Sequence, residues 1–71
     1  MRYSVEVYNT CDLGDVLDTT IADLKLREAI KTAKANSDED KHIYITWYRA
    51  SDGQKGYYNP NGDHTINGQS W

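Results

Sequence analysis

The stretch that decides the fold is His42-Ile43-Tyr44-Ile45-Thr46-Trp47-Tyr48-Arg49, the longest run of β-branched and aromatic residues in the chain. Residues of these types are enriched in β-strands. Successive side chains of a strand point to opposite faces of the sheet, so the isoleucines and Trp47 share one face while the tyrosines share the other. The first face has the apolar residues of a core, and the second has residues suited to contact with another molecule.

A turn is predicted shortly after this strand, at Asp52-Gly53. Asp-Gly after such a run favours a two-residue hairpin loop, because both central residues of a type I′ turn require a positive φ. A loop of that length predicts that Tyr48 lies opposite Tyr57 and that Trp47 lies opposite Tyr58. Tyr57 therefore joins the face of the tyrosines, and Tyr58 joins the core face.

The N-terminal residues predict another strand. Arg2 to Tyr8 alternates between the two faces, with Val5 and Val7 on the core side, which is typical of a half-buried strand. The segment from Leu13 to Asp18 is expected to be an ordered loop whose apolar side chains close the end of the core. A single helical turn, or a short extended piece at Val16-Leu17, are the alternatives.

A helix is predicted from Thr20 to Ala35. Thr20 is a suitable N-cap, and Asp23 three residues later resembles the second member of a capping box. The residues between them and Ala35 include no Gly or Pro. A stripe about 100° wide, typical of a core-facing helix, contains Ala22, Leu26, Ala29, Ile30 and Ala33. The helix is predicted to end at the polar segment Asn36–Asp40.

The predicted fold class is α+β, with the element order β-α-β-β(-β) and one helix packed on one face of a small antiparallel-rich sheet. Residues 1–71 are predicted to form one small domain. The last strand is a short one around Thr65-Ile66, after a second turn at Pro60–Asp63. Two positions are open to the first strand, beside the second strand or beyond the third. The predicted core consists of Val5, Val7, Leu26, Ala29, Ile30, Ile43, Ile45, Trp47 and Tyr58.

Composition narrows the classes of function. The formal net charge of the 71 residues is −3, whereas non-specific nucleic-acid binding normally needs a basic surface. Cys11 is the single cysteine, and a chain that cannot form an internal disulfide is typical of a reducing compartment. The first residues lack the apolar h-region of a signal peptide, and no apolar run in the sequence approaches the length of a membrane span. We therefore expect a soluble cytoplasmic protein that does not bind membranes.

Residues that could carry out catalysis are few. Cys11 could pair with His42 or His64, but nothing near Cys11 in the sequence supplies an activating helix N-terminus or a neighbouring cation. Three aspartates between residues 12 and 18 recur at every third position, but they lack the central Gly and the closing Glu of a calcium loop. No Gly-rich phosphate loop precedes a helix. We predict that the protein is not an enzyme and uses no metal and no cofactor.

The first candidate contact surface, which we name the basic ridge, consists of Arg27, Lys31 and Lys34. Their spacing places them together on the solvent side of the predicted helix. Such a ridge could bind phosphates or an acidic protein. The alternative is an ordinary solvated helix face, with Asp23 and Glu28 as local partners.

The second candidate surface, which we name the tyrosine face, consists of Tyr8, Tyr44, Tyr48 and Tyr57, edged by Arg2, Glu6 and His42. Tyrosine buries a large area with few rotatable bonds and keeps a hydroxyl for a partner, which explains its enrichment at binding hot spots. The alternatives are a cross-strand ladder that only stabilises the exposed face, and a platform on which nucleic-acid bases stack.

A chain with this element order, a high tyrosine content and no catalytic set resembles the small accessory proteins of phages and mobile elements. Among them it is most similar to anti-CRISPR proteins. The resemblance covers the whole chain and rests on architecture and composition. It implies a non-enzymatic inhibitor that binds a host defence protein or ribonucleoprotein complex and blocks it. A small nucleic-acid-binding module and an oligomeric structural or adaptor protein, with a homodimer as its simplest form, are the other two classes.

Overall fold

The computed structural model describes residues 1–38, 40–58, 60 and 65–66. Its elements in chain order are β1 (Arg2–Cys11), β2 (Gly14–Leu24), α1 (Leu26–Ala35), β3 (Lys41–Arg49), β4 (Gln54–Tyr57) and β5 (Thr65–Ile66). The predicted α+β class is confirmed, with α1 packed on the strands β1 and β3 of an antiparallel sheet. The short strand predicted at Thr65-Ile66 is present as β5, whereas most of the turn predicted before it, residues 61–63, lies outside the described residues. In these described ranges no helix is long and apolar enough to cross a membrane.

The strands of the sheet follow the order β2-β1-β3-β4. β1 lies beside β3 along almost the whole length of both, from Arg2 opposite Tyr48 to Asn9 opposite Lys41. This pairing answers the question that the sequence left open, because the first strand is central and not beyond the third. β4 and β5 share the other side of β3, since β1 occupies the first side.

The main difference from the predicted element order is an additional strand, β2, between β1 and the helix. The observed order therefore begins β-β-α-β-β. The predicted loop from Leu13 to Asp18 is wrong, because β2 pairs with β1 from Gly14 opposite Cys11 to Leu24 opposite Tyr3. Two register shifts interrupt this ladder, so more residues of β2 than of β1 lie in the shifted stretches. Such bulges interrupt the alternation of side chains between the two faces of a strand. The sequence of β2 therefore lacks the alternating apolar and polar residues by which a strand is predicted.

The helix begins at Leu26, so the predicted start at Thr20 is wrong. Thr20 and Ala22 belong to β2, where pairing with β1 outweighs the helix propensity of the segment. Asp23 has a φ of 65° at the end of the strand, a conformation that Asp tolerates better than most residues. The N-cap position is Lys25, whose backbone N–H donates to Glu28 Oε1 at 3.1 Å.

The predicted end of the helix is confirmed. Asn36 follows the last helical residue, and its side-chain amide donates to the carbonyl oxygen of Thr32 at 2.8 Å. The hydroxyl of Ser37 donates to the carbonyl oxygen of Ala33 at 3.1 Å. These side-chain bonds add to those that the backbone N–H of Asn36 donates to the same two carbonyl oxygens, so the last turn of the helix, where carbonyl groups lack intrahelical partners, is well capped.

The core lies between α1 and the β1–β3 pair. Its buried residues are Val5, Val7, Ala29, Ala33, Ile43 and Ile45, and the half-buried Tyr3, Leu24, Ile30 and Tyr58 pack against them. The prediction is wrong for Leu26 and Trp47, which lie outside this cluster. Trp47 packs instead against Gly56, where a Cβ would lie 2.9 Å from the indole ring. The small alanines of α1 allow the helix to approach the layer of valines and isoleucines closely.

The register of the β3–β4 hairpin is displaced by two residues from the prediction. Arg49 pairs with Gln54, so the loop comprises residues 50–53, and Tyr57 lies opposite Thr46 rather than Tyr48. Trp47 likewise faces Gly56 rather than Tyr58. A shift of one residue exchanges the two faces of a strand, whereas a shift of two preserves them. Tyr57 therefore remains on the face of Tyr44 and Tyr48, as predicted.

Asp52 explains the longer loop. Its carboxylate accepts hydrogen bonds from Arg49 Nε at 2.9 Å and from the backbone N–H of Gln54 at 3.1 Å. These two bonds hold the pKa of Asp52 below its usual value. The Gly53 N–H closes the loop by donating to the Arg49 carbonyl oxygen at 2.9 Å. Of the two turn residues, only Gly53 has a positive φ, of 73°, so that prediction is wrong for Asp52.

Gly53→Val is expected to destabilise the protein by about 1–2 kcal/mol, the cost of the left-handed conformation for a residue with a Cβ. A Cβ on Gly53 would meet no atom within 4 Å, so the cost comes from the backbone alone. Gly53→Asn is the matched control, because Asn tolerates this conformation. Urea unfolding measures both variants, and equal stability of Gly53→Val and the parent would contradict the loop geometry.

Candidate binding face on the outer side of the sheet

The helix covers one face of the sheet, and no element in the described part of the chain forms a layer on the other. This outer face carries alternate residues of three adjacent strands, as the predicted alternation required. β1 supplies Ser4, Glu6 and Tyr8, β3 supplies Tyr44, Thr46 and Tyr48, and β4 supplies Lys55 and Tyr57. The sheet therefore holds all four residues of the tyrosine face on a rigid support.

Three of the four tyrosines form a continuous row. The ring of Tyr8 meets that of Tyr44 edge-on, with a centroid distance of 5.4 Å, and the ring of Tyr44 lies 5.8 Å from that of Tyr57. Tyr48 lies further along β3, between Arg2 of β1 and Lys55 of β4. Aromatic pairs at these distances contribute about 0.5–1.5 kcal/mol each, so we expect this row of three rings to stabilise the sheet.

Exposure separates the tyrosines into two pairs. Tyr8 and Tyr44 are half-buried, whereas 51% of Tyr48 and 54% of Tyr57 remain accessible to solvent. A partner that approaches this face would therefore meet Tyr48 and Tyr57 first. Tyr8 and Tyr44 support Tyr57 from one side through the row of rings.

A cleft of about 420 Å³ opens on this face. Ser4 and Thr46 lie directly opposite each other on β1 and β3, and their small side chains form its floor. The larger side chains that surround this floor belong to Glu6, Tyr48, Lys55 and Tyr57, and the lining is completed by Trp47 and Gly56. Sequence reasoning missed Ser4, Thr46 and Lys55, because their proximity to one another depends on the pairing of three strands.

Glu6 sets the charge at one side of the cleft. Its half-buried carboxylate accepts a hydrogen bond from the Tyr8 hydroxyl at 3.4 Å. Burial, and then the negative charge of Glu6, raise the pKa of the Tyr8 hydroxyl above its usual value. Burial, and then the charge of Asp15, raise the pKa of Tyr44 in the same direction. None of the four ion pairs between described residues includes Glu6.

Glu6→Gln is expected to lower the pKa of Tyr8, because the substitution removes a negative charge but keeps a hydrogen-bond acceptor. The raised pKa values mean that the folded state holds these protons more tightly than the unfolded chain does. Stability is therefore fully present below about pH 10, the ordinary tyrosine value, and falls as the pH rises through the raised values. NMR titration of the tyrosine ring carbons measures the shift, and an unchanged Tyr8 pKa in Glu6→Gln would contradict the contact.

Two side-chain contacts join β2 to β3, with His42 on the outer face and Lys41 on the side of the buried Ile43 and Ile45. His42 Nδ1 lies 2.7 Å from Asp15 Oδ2, and Lys41 Nζ lies 3.5 Å from Asp18 Oδ2. These contacts give two of the three recurrent aspartates a structural role that joins β2 to β3 across β1. Within the described ranges, no group of three or more His, Cys, Asp or Glu side chains could hold a metal ion. Cys11 is exposed, and its thiol donates to the carbonyl oxygen of Gly14 at 2.7 Å.

The basic ridge lies on the opposite side of the molecule. Arg27, Lys31 and Lys34 are exposed on α1, whose other side packs on the sheet through the buried Ala29 and Ala33. The local partners predicted for the ridge have other roles, since Asp23 pairs with Arg2 and Glu28 caps the helix. No ion pair of the described residues contains a ridge side chain. The structure thus separates the basic ridge from the tyrosine face by the thickness of the protein.

A third surface, missed at the level of sequence, is the end of the β1–β2 hairpin. Leu13 is fully exposed, and Val16 and Leu17 are more than half exposed. The prediction that these side chains close the end of the core is therefore wrong. β2 is also an edge strand, although its bulges are of the kind that discourages pairing with a further strand.

Comparison with known proteins gives no match, whether with models of protein families, with curated proteins or with solved structures. The function must accordingly be argued from the geometry of these surfaces.

Proposed function

We propose that this protein is a non-enzymatic inhibitor of phage or mobile-element origin, which acts in the host cytoplasm by occupying the surface of a macromolecular complex. The resemblance to anti-CRISPR proteins suggests a CRISPR–Cas-type defence complex as that partner. The tyrosine face is the proposed contact surface. Inhibition of this kind needs a rigid, complementary surface and no catalytic group.

The observation that carries the proposal is the exposure of tyrosines on the outer face of the sheet, on which no element of the described ranges packs as a layer. A single helix is sufficient to bury the core residues on one side, yet the other side presents Tyr48 and Tyr57 with more than half of each accessible. Both lie beside a cleft and on paired strands. Rigid aromatic residues around a depression are typical of binding hot spots, which cluster in well-packed pockets near the centre of an interface.

The basic ridge supports a second candidate, a nucleic-acid-binding module. Its three exposed cations have no ion-pair partner among the described residues, so they are available to phosphates. Single-strand binding, however, combines cations with stacking aromatic rings in one groove, and the structure separates these two features. The net charge of −3 also opposes a phosphate backbone.

The experiment uses purified CRISPR–Cas effector complexes of several types, with target-DNA cleavage measured at increasing concentrations of the protein. We expect inhibition of at least one type, and direct binding of the protein to that effector. Two sets of variants then compare the surfaces: Tyr48→Ala and Tyr57→Ala on the tyrosine face, and Arg27→Ala, Lys31→Ala and Lys34→Ala on the basic ridge. Circular dichroism confirms that each variant is folded.

The two candidates make opposite forecasts for these variants. In a protein-binding inhibitor, the tyrosine variants lose inhibition, and the ridge variants change mainly the rate of association and its dependence on salt. In a nucleic-acid binder, each lost cation weakens binding and lowers the salt slope by nearly one unit. Full inhibition by the tyrosine variants together with loss in the ridge variants would contradict the proposed surface. Inhibition of no effector would contradict the proposed class of partner.

An oligomeric adaptor remains the third class, with the exposed apolar end of the β1–β2 hairpin as its natural contact. Sedimentation of the protein over a range of concentrations decides this class. A concentration-dependent mass that disappears in Leu13→Ser and Leu17→Ser would favour a homodimer through that hairpin.

A further inference from the structure

We propose that the cleft on the outer face binds an arginine side chain of the protein partner. The inference rests on the proposed function, because it assigns a chemistry to the surface that the partner occupies. Three features of the cleft lead to it: the acceptors on its floor, the aromatic side chains around it, and the carboxylate at one side.

The floor and the carboxylate provide hydrogen-bond acceptors. Ser4, Thr46 and Glu6 all line the cleft, and their side chains carry two hydroxyl groups and one carboxylate. A guanidinium group carries five N–H donors and no acceptor, so it can use several acceptors at once. A carboxylate also binds it through two parallel hydrogen bonds, an arrangement that Arg forms better than Lys.

The tyrosines suit the flat shape of the same group. Tyr48 and Tyr57 stand at the cleft with about half of each side chain accessible. Guanidinium groups stack on the faces of aromatic rings, and the attraction is stronger where water is excluded. The protein already contains a related contact, since the guanidinium carbon of Arg49 lies 5.9 Å from the centre of the Trp47 ring.

Glu6 is the negatively charged residue of the cleft. A half-buried carboxylate loses part of its hydration, and without a nearby cation this loss of solvation free energy is poorly compensated. Glu6 belongs to no ion pair of the described residues. Its one hydrogen-bond donor in that part of the chain is the Tyr8 hydroxyl, at 3.4 Å. A cation brought by a partner would supply the missing charge.

Lys55 is the opposing charge in the cleft. It lies opposite Tyr48, whereas Glu6 lies opposite Tyr44, four residues away along β3. The two charges are therefore at different ends of the cleft, and Lys55 forms no ion pair with Glu6. Lys55 repels a cation at its own end, so neutralising Lys55 and neutralising Glu6 should change cation binding in opposite directions.

The experiment is an NMR titration of the isotope-labelled protein with three blocked tripeptides of the form Gly-X-Gly. The central residue is arginine, its uncharged isostere citrulline, or glutamate. The arginine peptide is expected to give saturable shifts at the amides of Ser4, Glu6, Thr46 and Tyr57, with the citrulline peptide at least about tenfold weaker, as expected for loss of a charge-assisted hydrogen bond. Glu6→Gln should remove this preference, and Lys55→Gln should strengthen arginine binding.

Three results would overturn the inference. The first is that the arginine peptide shows no saturable binding. The second is that the arginine and citrulline peptides bind equally well. The third is that the glutamate peptide binds more tightly than the arginine peptide and that Lys55→Gln abolishes its binding. The proposed function is tested separately from this inference, because it fails if the protein inhibits no effector or if Tyr48 and Tyr57 prove unnecessary for binding the whole partner, whatever the tripeptides do. Glu6→Gln keeps the size and the acceptor of the parent side chain, so its effect reports charge rather than folding.

Discussion

Ile45→Ala is expected to lower the free energy of unfolding by roughly 2–5 kcal/mol, the range measured for large-to-small substitutions in protein cores. Ile45 is 1% exposed and lies opposite Val5 in the β1–β3 ladder. The loss would be a large share of the roughly 5–15 kcal/mol that stabilises a typical small protein. Urea unfolding followed by circular dichroism measures it.

Tyr48→Thr is the matched control on the opposite face of the same strand. Tyr48 is half exposed, and threonine preserves the preference for a strand. We expect a change within about 0.5 kcal/mol, as for most surface substitutions. Equal losses of stability in Ile45→Ala and Tyr48→Thr would contradict the assignment of the two faces.

Tyr57→Ala is expected to weaken binding to the inhibited complex by about 2 kcal/mol or more, which is roughly thirtyfold in Kd. Tyr57 is exposed, lines the cleft and contacts the Tyr44 ring, so a partner can bury it without first reorganising the sheet. Tyr48→Ala should cause a loss of the same order. Titration calorimetry with the purified complex measures both.

Lys31→Ala is the control for this prediction, because it removes a charge on the opposite side of the molecule. We expect its Kd at physiological salt to change by much less than that of Tyr57→Ala. A larger loss in Lys31→Ala than in Tyr57→Ala would move the site to the basic ridge.

The parts of the fold that the sequence predicts are those with an uninterrupted pattern. β1 and β3 alternate cleanly because one face of each is buried under α1, whereas no described element forms a layer on the other. The residues facing the core, such as Val5 and Ile45, could therefore be identified without knowledge of the partner strand. The predicted register of the β3–β4 hairpin is wrong by two residues. An even displacement keeps each side chain on its predicted face, so the assignment of Tyr57 to the outer face is still correct.

The parts that could not be predicted depend on contacts distant in sequence. β2 is exposed along most of its length, with bulges that interrupt its pattern, so no buried face marks it as a strand. Thr20 has the local sequence of an N-cap. The pairing of β2 with β1 nevertheless continues to Leu24, so the helix begins only at Leu26. The length of the β3–β4 loop depends on the side chain of Asp52, which bonds Arg49 and Gln54 across the loop.

The candidate site divides in the same way. Alternation along β3 is enough to place Tyr44 and Tyr48 together on the outer face. The cleft, in contrast, exists because Ser4 and Thr46 lie opposite each other on adjacent strands. That register places two small side chains next to each other among large ones. The sequence of either strand by itself does not predict this arrangement.

Hydroxyl-radical footprinting of the protein, free and bound to the complex that it inhibits, tests the central claim most directly. Tyrosine and leucine side chains are both oxidised where they are exposed, so one measurement reports on the tyrosine face and on the β1–β2 hairpin. We predict that oxidation of Tyr48 and Tyr57 falls strongly in the complex, while that of the exposed Leu13 and Leu17 changes little. Undiminished oxidation of Tyr48 and Tyr57 in the bound protein would contradict the account.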